Sequence, residues 1–435
     1  MTEKKVSFTT LGCRYNRMET AEMAHDLRMA GYRQAAEGDG PADVVVINSC
    51  AVTHRSAAKS RAAIRDAVAK HPGAKVVVTG CYPQTDPKGA AGVEGVALAL
   101  GNAEKRSLAS ALMKLEEDAS AQPLILAGAD PAQQPLPVRP VTAMEGRTNV
   151  YVNAQSGCDE ICSFCVVRVA RGSSRSAPAG ALAEQARRLA EAGVGEMVIS
   201  GINVGQYRDG EMDLAGLLEL VLKESDIPRV RLSSINPNEV TERLMELMAA
   251  EPRLMPHLHV PLQSGSDRIL SLMRRPYTAE KYERLLYRLA EMIPGIGLGA
   301  DVMTAFPGET EEDHIHTRAL IERLPLMMLH VFSYSKRQGT EAAGLPGAVK
   351  AEDSRRRTNE LKAVSAGKRE RFMAAHAGKR LSILVESERT ASGALKGFTQ
   401  NYIPAALEGP DSARGRIVTA VGERALDGRL FCRME

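Results

Sequence analysis

Apolar residues recur along this chain in three successive rhythms. In the first, short and almost wholly apolar runs at residues 6–11, 43–48 and 75–79 alternate with stretches at 18–30 and 59–70 whose apolar side chains fall at helical spacing. Strands apolar on both faces, alternating with helices, predict a parallel α/β sheet covered on both sides. Residues 119–147 have no rhythm: they are rich in Ala, Pro and Gln, with Pro123, Pro131, Pro135, Pro137 and Pro140 breaking any long element, and read as a linker. The second rhythm has six strand-like runs, at 150–154, 196–200, 230–233, 258–262, 297–303 and 327–334, separated by helical patterns such as 181–192 and 311–324. This predicts a partial (β/α)6 barrel with its working face at the strand carboxyl ends. From residue 381 the period drops to two, and 381–386, 397–402, 415–418 and 428–431 predict strands of a small β-barrel. The predicted order is an α/β domain (1–118), a linker (119–147), a barrel (148–377) and a small β-barrel (378–435).

A chain of 435 residues exceeds one typical core, in keeping with two or three domains. Its seven cysteines, odd in number and irregularly spaced, argue against a disulfide framework and for metal or redox use in a reducing compartment. Cys158, Cys162 and Cys165 follow the first barrel strand in the spacing CxxxCxxC. Three thiolates in one loop are too few to close a four-iron cluster, so one iron is left for another ligand. A zinc site is the alternative, but zinc knuckles use CxxC pairs with a fourth ligand nearby, and no His or Cys follows within reach. Cys13, Cys50 and Cys81 each stand immediately after one of the three N-terminal strands, although 37 and 31 residues separate them. Parallel strands bring such ends together. They are read as a second three-thiolate set, against the plainer reading of three buried strand-end thiols. Cys432 is read as structural.

The loops after the barrel strands carry Ser200, Gly201 and Asn203, then Ser234, Gln263 and Thr304. Singly such residues are ordinary turn and cap chemistry, but together on one face they suit a nucleoside and a methionyl group. Net charge is only +3, so a nucleic-acid surface has to come from local clustering. Arg274, Arg275, Lys379 and Arg380 are the candidate phosphate contacts. The runs at 355–357 and 368–371 are interleaved with acids and read equally as a solvated helix face or as phosphate contacts. The N-terminus has no apolar signal segment and no run reaches membrane-spanning length, which predicts a cytoplasmic protein without a membrane partner.

The CxxxCxxC loop after a strand resembles the signature of the radical S-adenosylmethionine (SAM) enzymes. Two three-cysteine sets in this order, followed by a small β-barrel, are similar to the methylthiotransferases over essentially the whole chain. Thr10-Leu11-Gly12-Cys13-Arg14-Tyr15-Asn16, Ile47-Asn48-Ser49-Cys50-Ala51-Val52-Thr53 with Lys59-Ser60-Arg61, and Thr79-Gly80-Cys81 resemble the MtaB family, which acts on N6-threonylcarbamoyladenosine in tRNA. Arg168-Val169-Ala170-Arg171-Gly172, Leu232-Ser233-Ser234, residues 259–266 and Phe306-Pro307-Gly308-Glu309-Thr310 are likewise similar, while Val167-Arg168-Val169 stand where the family commonly has Ile-Pro-Tyr.

The resemblance implies a TRAM-like C-terminal domain, two 4Fe-4S clusters and two uses of SAM. Cys158, Cys162 and Cys165 would hold the cluster at which SAM is cleaved to methionine and a 5′-deoxyadenosyl radical that takes hydrogen from carbon 2 of the adenine. Cys13, Cys50 and Cys81 would hold the auxiliary cluster whose sulfur is methylated and transferred. No protein catalytic residue beyond the cluster ligands is implied. The implied partners are the tRNA anticodon stem-loop, its adenosine unstacked, and a low-potential electron donor such as flavodoxin or ferredoxin. The rival readings are a methylthiotransferase for isopentenyladenosine tRNA or a ribosomal-protein aspartate, and, in another class, an iron–sulfur RNA-binding or redox-sensing protein.

Overall fold

The computed structural model describes residues 3–36, 38–117, 122–144 and 146–435. The start of the expected linker, 119–121, and its residue 145 lie outside the described residues. The chain divides into two compact units, one formed by residues up to 141 with 155–177 and 335–343, the other by 142–154, 178–334 and 344–435.

The first unit is built on a six-stranded parallel sheet, in the spatial order Arg33–Gln34, Lys5–Thr10, Val44–Ser49, Lys75–Gly80, Val96–Leu100 and Leu124–Leu126. The two central strands explain the double cover. Val45, Ile47, Val76 and Val78 share a buried cluster with Ile64 and Ala67 of helix His54–Lys70. Their neighbours Val44, Val46 and Val77 share another with Met23, Leu27, Leu108 and Leu112. Each fully buried aliphatic side chain contributes about 1.5–3 kcal/mol, so the strand with apolar residues on both faces belongs in the middle. Helix His54–Lys70 starts at a Thr53–Ser56 capping box, which satisfies two of its free amides and sets where the chain turns after Cys50. Three short strands escaped the sequence pattern. One of them, Leu124–Leu126, lies within the stretch read as a linker.

In the second unit the six expected parallel strands form: Asn149–Ser156, whose last two residues pass into the first unit, then Glu196–Gly201, Val230–Leu232, His257–His259, Gly297–Thr304 and Met328–Ser333. The first three neighbour one another in one sheet and the last three in another. Single bridges, Val230 to Leu254 and Ser234 to His259, join the two. One face of the second sheet is fully covered: Leu258, Leu298, Ala300 and Val302 are all at most 1% exposed.

Three basic residues of helix Ala351–Ala374 turn inward or into pairs. Arg357 bonds Glu309 Oε1 at 2.7 Å and Glu311 Oε2 at 3.1 Å, Arg356 pairs with Glu311 and Glu360, and Lys368 donates to the carbonyls of Glu322 and Leu324. Buried Arg357 and Lys368 thus tether neighbouring elements, which neither reading of the basic runs describes, whereas exposed Arg356 sits among acids as on a solvated face.

The chain ends in a closed five-stranded barrel, in the order Arg380–Arg389, Leu395–Thr399, Pro404–Leu407, Arg429–Met434 and Ile417–Leu426. The unexpected fifth strand, Pro404–Leu407, opens on a proline that weakens its signal. Buried Arg231 fastens this barrel, donating to Glu196 at 3.0 and 2.8 Å and to the carbonyl of Gln400 at 3.0 Å.

Candidate cluster and substrate sites

Cys13, Cys50 and Cys81 lie at the carboxyl ends of three neighbouring strands, Lys5–Thr10, Val44–Ser49 and Lys75–Gly80. Cys13 caps helix Arg14–Met29 and Cys81 begins the short helix Cys81–Thr85. Glycine is required beside two of them. Gly12 has φ +99° and a Cβ there would stand 2.6 Å from Cys50 Cβ, while at Gly80, with φ +101°, it would stand 2.4 Å from Ser49 O. Asn16 ties the strand ends, donating to Leu11 O at 2.9 Å and Ser49 O at 3.1 Å. Cys50 and Cys81 are buried, and Cys13 is accessible within a recess of surrounding protein. Burial raises the thiol pKa of Cys13 and Cys50, and the charge of Cys81 raises both further.

Cys158, Cys162 and Cys165 sit in a loop that leaves strand Asn149–Ser156 through Gly157. Gly157 has φ +76°, and a Cβ there would stand 1.9 Å from Ser173 O, so the returning chain passes where any side chain would be. The loop is held by Cys158 N to Gly172 O, Cys165 N to Cys162 O, and Ser174 N to Asp159 Oδ1 at 2.9 Å. Val167 N donates to Cys165 Sγ at 3.4 Å. All three thiols are partly exposed, and burial pushes Cys158 up to about 12.

Both sets belong to the first unit, and helix Val167–Arg171 links them. Asn102 Nδ2 donates to Ala170 O at 2.7 Å and approaches Cys81 Sγ at 3.8 Å. Arg171, only 3% exposed, reaches Asn16 Oδ1 at 2.7 Å and Glu19 at 2.9 and 3.1 Å, and its guanidinium lies 4.3 Å over the Tyr15 ring. Lys105 pairs with Glu19 as well. Burial alone would raise Glu19, but Arg171 and Lys105 bring it to about 2. Thus two buried cations and one carboxylate leave a positive balance beside thiols that become anionic when they bind metal.

The donor sets fit iron–sulfur clusters. Among the described residues, the His, Cys, Asp or Glu trio whose ligand atoms close to within 4.8 Å is His259, Asp301 and His330. Each thiol set offers three sulfurs, the ligand type that holds iron–sulfur clusters. The N–H groups aimed at Cys165 and Cys81 are the kind that tune cluster potentials.

The loop residues read as SAM contacts fall into two groups. Ser234 pairs with His259 across the bridge between the sheets. Gln263, at φ +68°, donates from its backbone to Asp301 O at 2.8 Å, and its buried Oε1 has no partner among the described residues. Ser200 is buried, Gly201 N donates to Ser233 Oγ, and Asn203 donates to Glu239 at 2.7 Å. Thr304 stands apart: its hydroxyl bonds Thr358 at 2.7 Å in helix Ala351–Ala374.

Residues 152–321 match the Radical SAM superfamily, and residues 5–101 match the uncharacterized protein family UPF0004. The chain is similar to the threonylcarbamoyladenosine tRNA methylthiotransferase MtaB of Bacillus subtilis (strain 168), with 33% identity over 95% of this chain and 92% of the relative. With that of Aquifex aeolicus (strain VF5), identity is 35% over 93% and 97%. The chain belongs to the MtaB family of methylthiotransferases. MtaB-like sequence shades into another type: a tRNA-2-methylthio-N(6)-dimethylallyladenosine synthase of Cereibacter sphaeroides (strain ATCC 17025 / ATH 2.4.3) is 33% identical over 98% of both chains. The fold is shared with the radical SAM methyltransferase TsrM of Kitasatospora setae, at TM-score 0.61 and 15% identity, over 79% of this chain and 77% of that one.

The four basic residues named from the sequence of this MtaB relative are not equivalent. Arg274 is exposed, at φ +55°. Arg275 is drawn to Asn236 at 2.8 Å and to Tyr277. Lys379 is exposed, and Arg380 pairs with Glu435 at 2.7 Å. No helix among the described residues is long and apolar enough to cross a membrane. Sequence reasoning assigned no role to Glu19, Lys105, Arg171, His259, Asp301 or His330, although Arg171 and His259 stand in motifs on which the resemblance rests. His259, Asp301 and His330 lie on different strands and carry no local spacing that would reveal them as a set.

Proposed function

We propose that this chain attaches a methylthio group to carbon 2 of N6-threonylcarbamoyladenosine in the tRNA anticodon stem-loop, as expected for a cytoplasmic MtaB-family enzyme. The observation that carries the reading is the presence of two incomplete thiol sets within one folded unit. In this reading Cys158, Cys162 and Cys165 hold the SAM-binding 4Fe-4S cluster, and Cys13, Cys50 and Cys81 the auxiliary one. When bound, these clusters supply the electron that cleaves SAM and the sulfur that is transferred. Residues 1–118 carry the auxiliary ligands, 148–377 the radical-SAM barrel and 378–435 the TRAM-like barrel.

The protein's own part is to hold and shield. Gly12, Gly80 and Gly157 give the thiols room to converge, and Asn16, Asn102 and Arg171 fix the segments that bear them. Ser200, Gly201, Asn203, Ser234 and Gln263 are proposed to line the SAM site, with Thr304 bracing it through Thr358. Arg274, Arg275, Lys379 and Arg380 are proposed RNA contacts. A flavodoxin- or ferredoxin-like donor would supply the electron.

The experiment is iron analysis after anaerobic reconstitution, comparing wild type with Cys13, Cys50 and Cys81 all changed to Ala. Two clusters predict about eight irons and about four in the variant. The variant should keep SAM cleavage and lose tRNA thiolation, whereas unchanged iron content would refute the auxiliary cluster. A second reading, isopentenyladenosine as the substrate nucleoside, is favoured by the 33% identity to the dimethylallyladenosine synthase. Stem-loops bearing each modification separate the two.

A further inference from the structure

In the second unit, strands His257–His259, Gly297–Thr304 and Met328–Ser333 run side by side, with Gly299 opposite His259 and Asp301 opposite His330. The register stacks three titratable side chains on one face. His259 Nε2 lies 2.9 Å and His330 Nδ1 3.3 Å from the same oxygen, Asp301 Oδ1, and the imidazole rings are tilted with centroids 5.0 Å apart. The alternate residues Leu258, Ala300 and Val302 fill the covered face, whereas the trio's side chains rise in exposure from 12% at His259 to 27% at Asp301 and 57% at His330. Gly299 makes the arrangement possible, since a Cβ there would stand 2.9 Å from His259 Nδ1. Alongside are Ser234, paired with His259, and Gln263, held to Asp301 O and carrying its buried, unpartnered Oε1.

No fold requirement explains a half-open His–Asp–His row on the face opposite the aliphatic one. Asp301 Oδ1 accepts from both rings, which orients them. A ligand here meets two oriented imidazole rings and a carboxylate acceptor, beside the Gln263 oxygen. We propose that His259, Asp301 and His330 form the specificity site for the N6-substituent of the substrate adenosine, and that they select a polar substituent carrying a carboxylate, a hydroxyl and amide N–H groups.

The inference rests on the proposed function. The threonylcarbamoyl group presents all three of those functions, and the isopentenyl group presents none. An apolar substituent would cover the row without pairing it, and each hydrogen bond so lost costs about tenfold in affinity. A site built to bond polar groups rejects the analogue that lacks them more strongly than an apolar pocket rejects a small addition.

The experiment measures affinity of the reconstituted enzyme for anticodon stem-loops carrying threonylcarbamoyladenosine, isopentenyladenosine or unmodified adenosine, in wild type, His330→Phe, His330→Gln and Asp301→Asn, with SAM affinity measured in parallel. Wild type should prefer the threonylcarbamoyl stem-loop to the other two by tenfold or more. His330→Phe and Asp301→Asn should erase that preference while leaving affinity for the unmodified stem-loop within about twofold, and His330→Gln should restore part of it. A preference that survives in both damaging variants, or a loss confined to SAM affinity, overturns the inference alone. A wild type that prefers and thiolates the isopentenyl stem-loop overturns the proposed substrate. A preference abolished by chelator and restored by zinc or manganese would assign the trio to a metal ion and overturn the direct contact.

Discussion

Replacing Arg171 with Leu tests how the two thiol sets are held together. The side chain is 3% exposed and makes three hydrogen bonds, two to Glu19 and one to Asn16, besides lying over Tyr15. Removing one partner of a buried pair costs about 3–5 kcal/mol, because the surviving charge has lost its compensation. Lys105 still faces Glu19, which reduces that figure, while the lost bond to Asn16 adds about 1.5–3 kcal/mol. A net local loss of about 4 kcal/mol follows. Hydrogen exchange followed by mass spectrometry reads local opening, and peptides covering 81–107 and 155–177 should exchange about a thousandfold faster in the variant. The partner change Glu19→Gln should also destabilise by leaving two buried cations unmatched. The double variant should then lose at least 1 kcal/mol less than the sum of the single losses. An acceleration below about fivefold in Arg171→Leu, or strict additivity in the cycle, would refute the account.

Other consequences are as direct. Glu22 is pushed up to about 8, first by burial and then by Glu19. With an unfolded value near 4.5, its stabilising contribution is complete below pH 4.5 and lost as pH rises toward 8. Glu22→Gln should therefore stabilise by about 2–4 kcal/mol at pH 8 and negligibly at pH 4.5, measured by the exchange of peptides covering 14–29. Glu19 has the opposite sign: depressed to about 2, it contributes stability above pH 4.5 that is lost as pH falls toward 2, so acid should open the same helix and Glu19→Gln should flatten that dependence. Gly157→Ala forces a Cβ into Ser173 O, so reconstituted protein should hold about four irons instead of about eight and lose SAM cleavage. Arg231→Met should loosen the small barrel by about 3–5 kcal/mol, seen as faster proteolysis between residues 374 and 380, with both clusters retained.

The fold was readable where burial dictates composition. Residues 44–49 and 75–80 must be apolar on both faces to lie centrally, so they announce themselves, whereas the two-residue strand Arg33–Gln34 lies at an edge with nothing to announce it. The thiols were readable because each follows its strand. The His–Asp–His row was not, because it exists only once three strands are set in register. The basic helix misled at Arg357 for a related reason: its partners, Glu309 and Glu311, lie over 40 residues away, where a local charge count does not look.

The first unit is assembled from three separated stretches of chain, and the last of them, 335–343, arrives late. Ser335 Oγ accepts from His54 N and Ala342 N donates to Ser163 O, so this segment touches both the turn after Cys50 and the loop of Cys162 and Cys165. During synthesis the six thiols therefore emerge well before the segment that completes their housing. Until roughly three-quarters of the polypeptide has left the ribosome, the thiols lack part of their protection from oxygen and stray metals. Insertion of iron–sulfur clusters is then a step for the nearly finished chain, and an isolated N-terminal fragment would be expected to bind iron loosely even with Cys13, Cys50 and Cys81 intact.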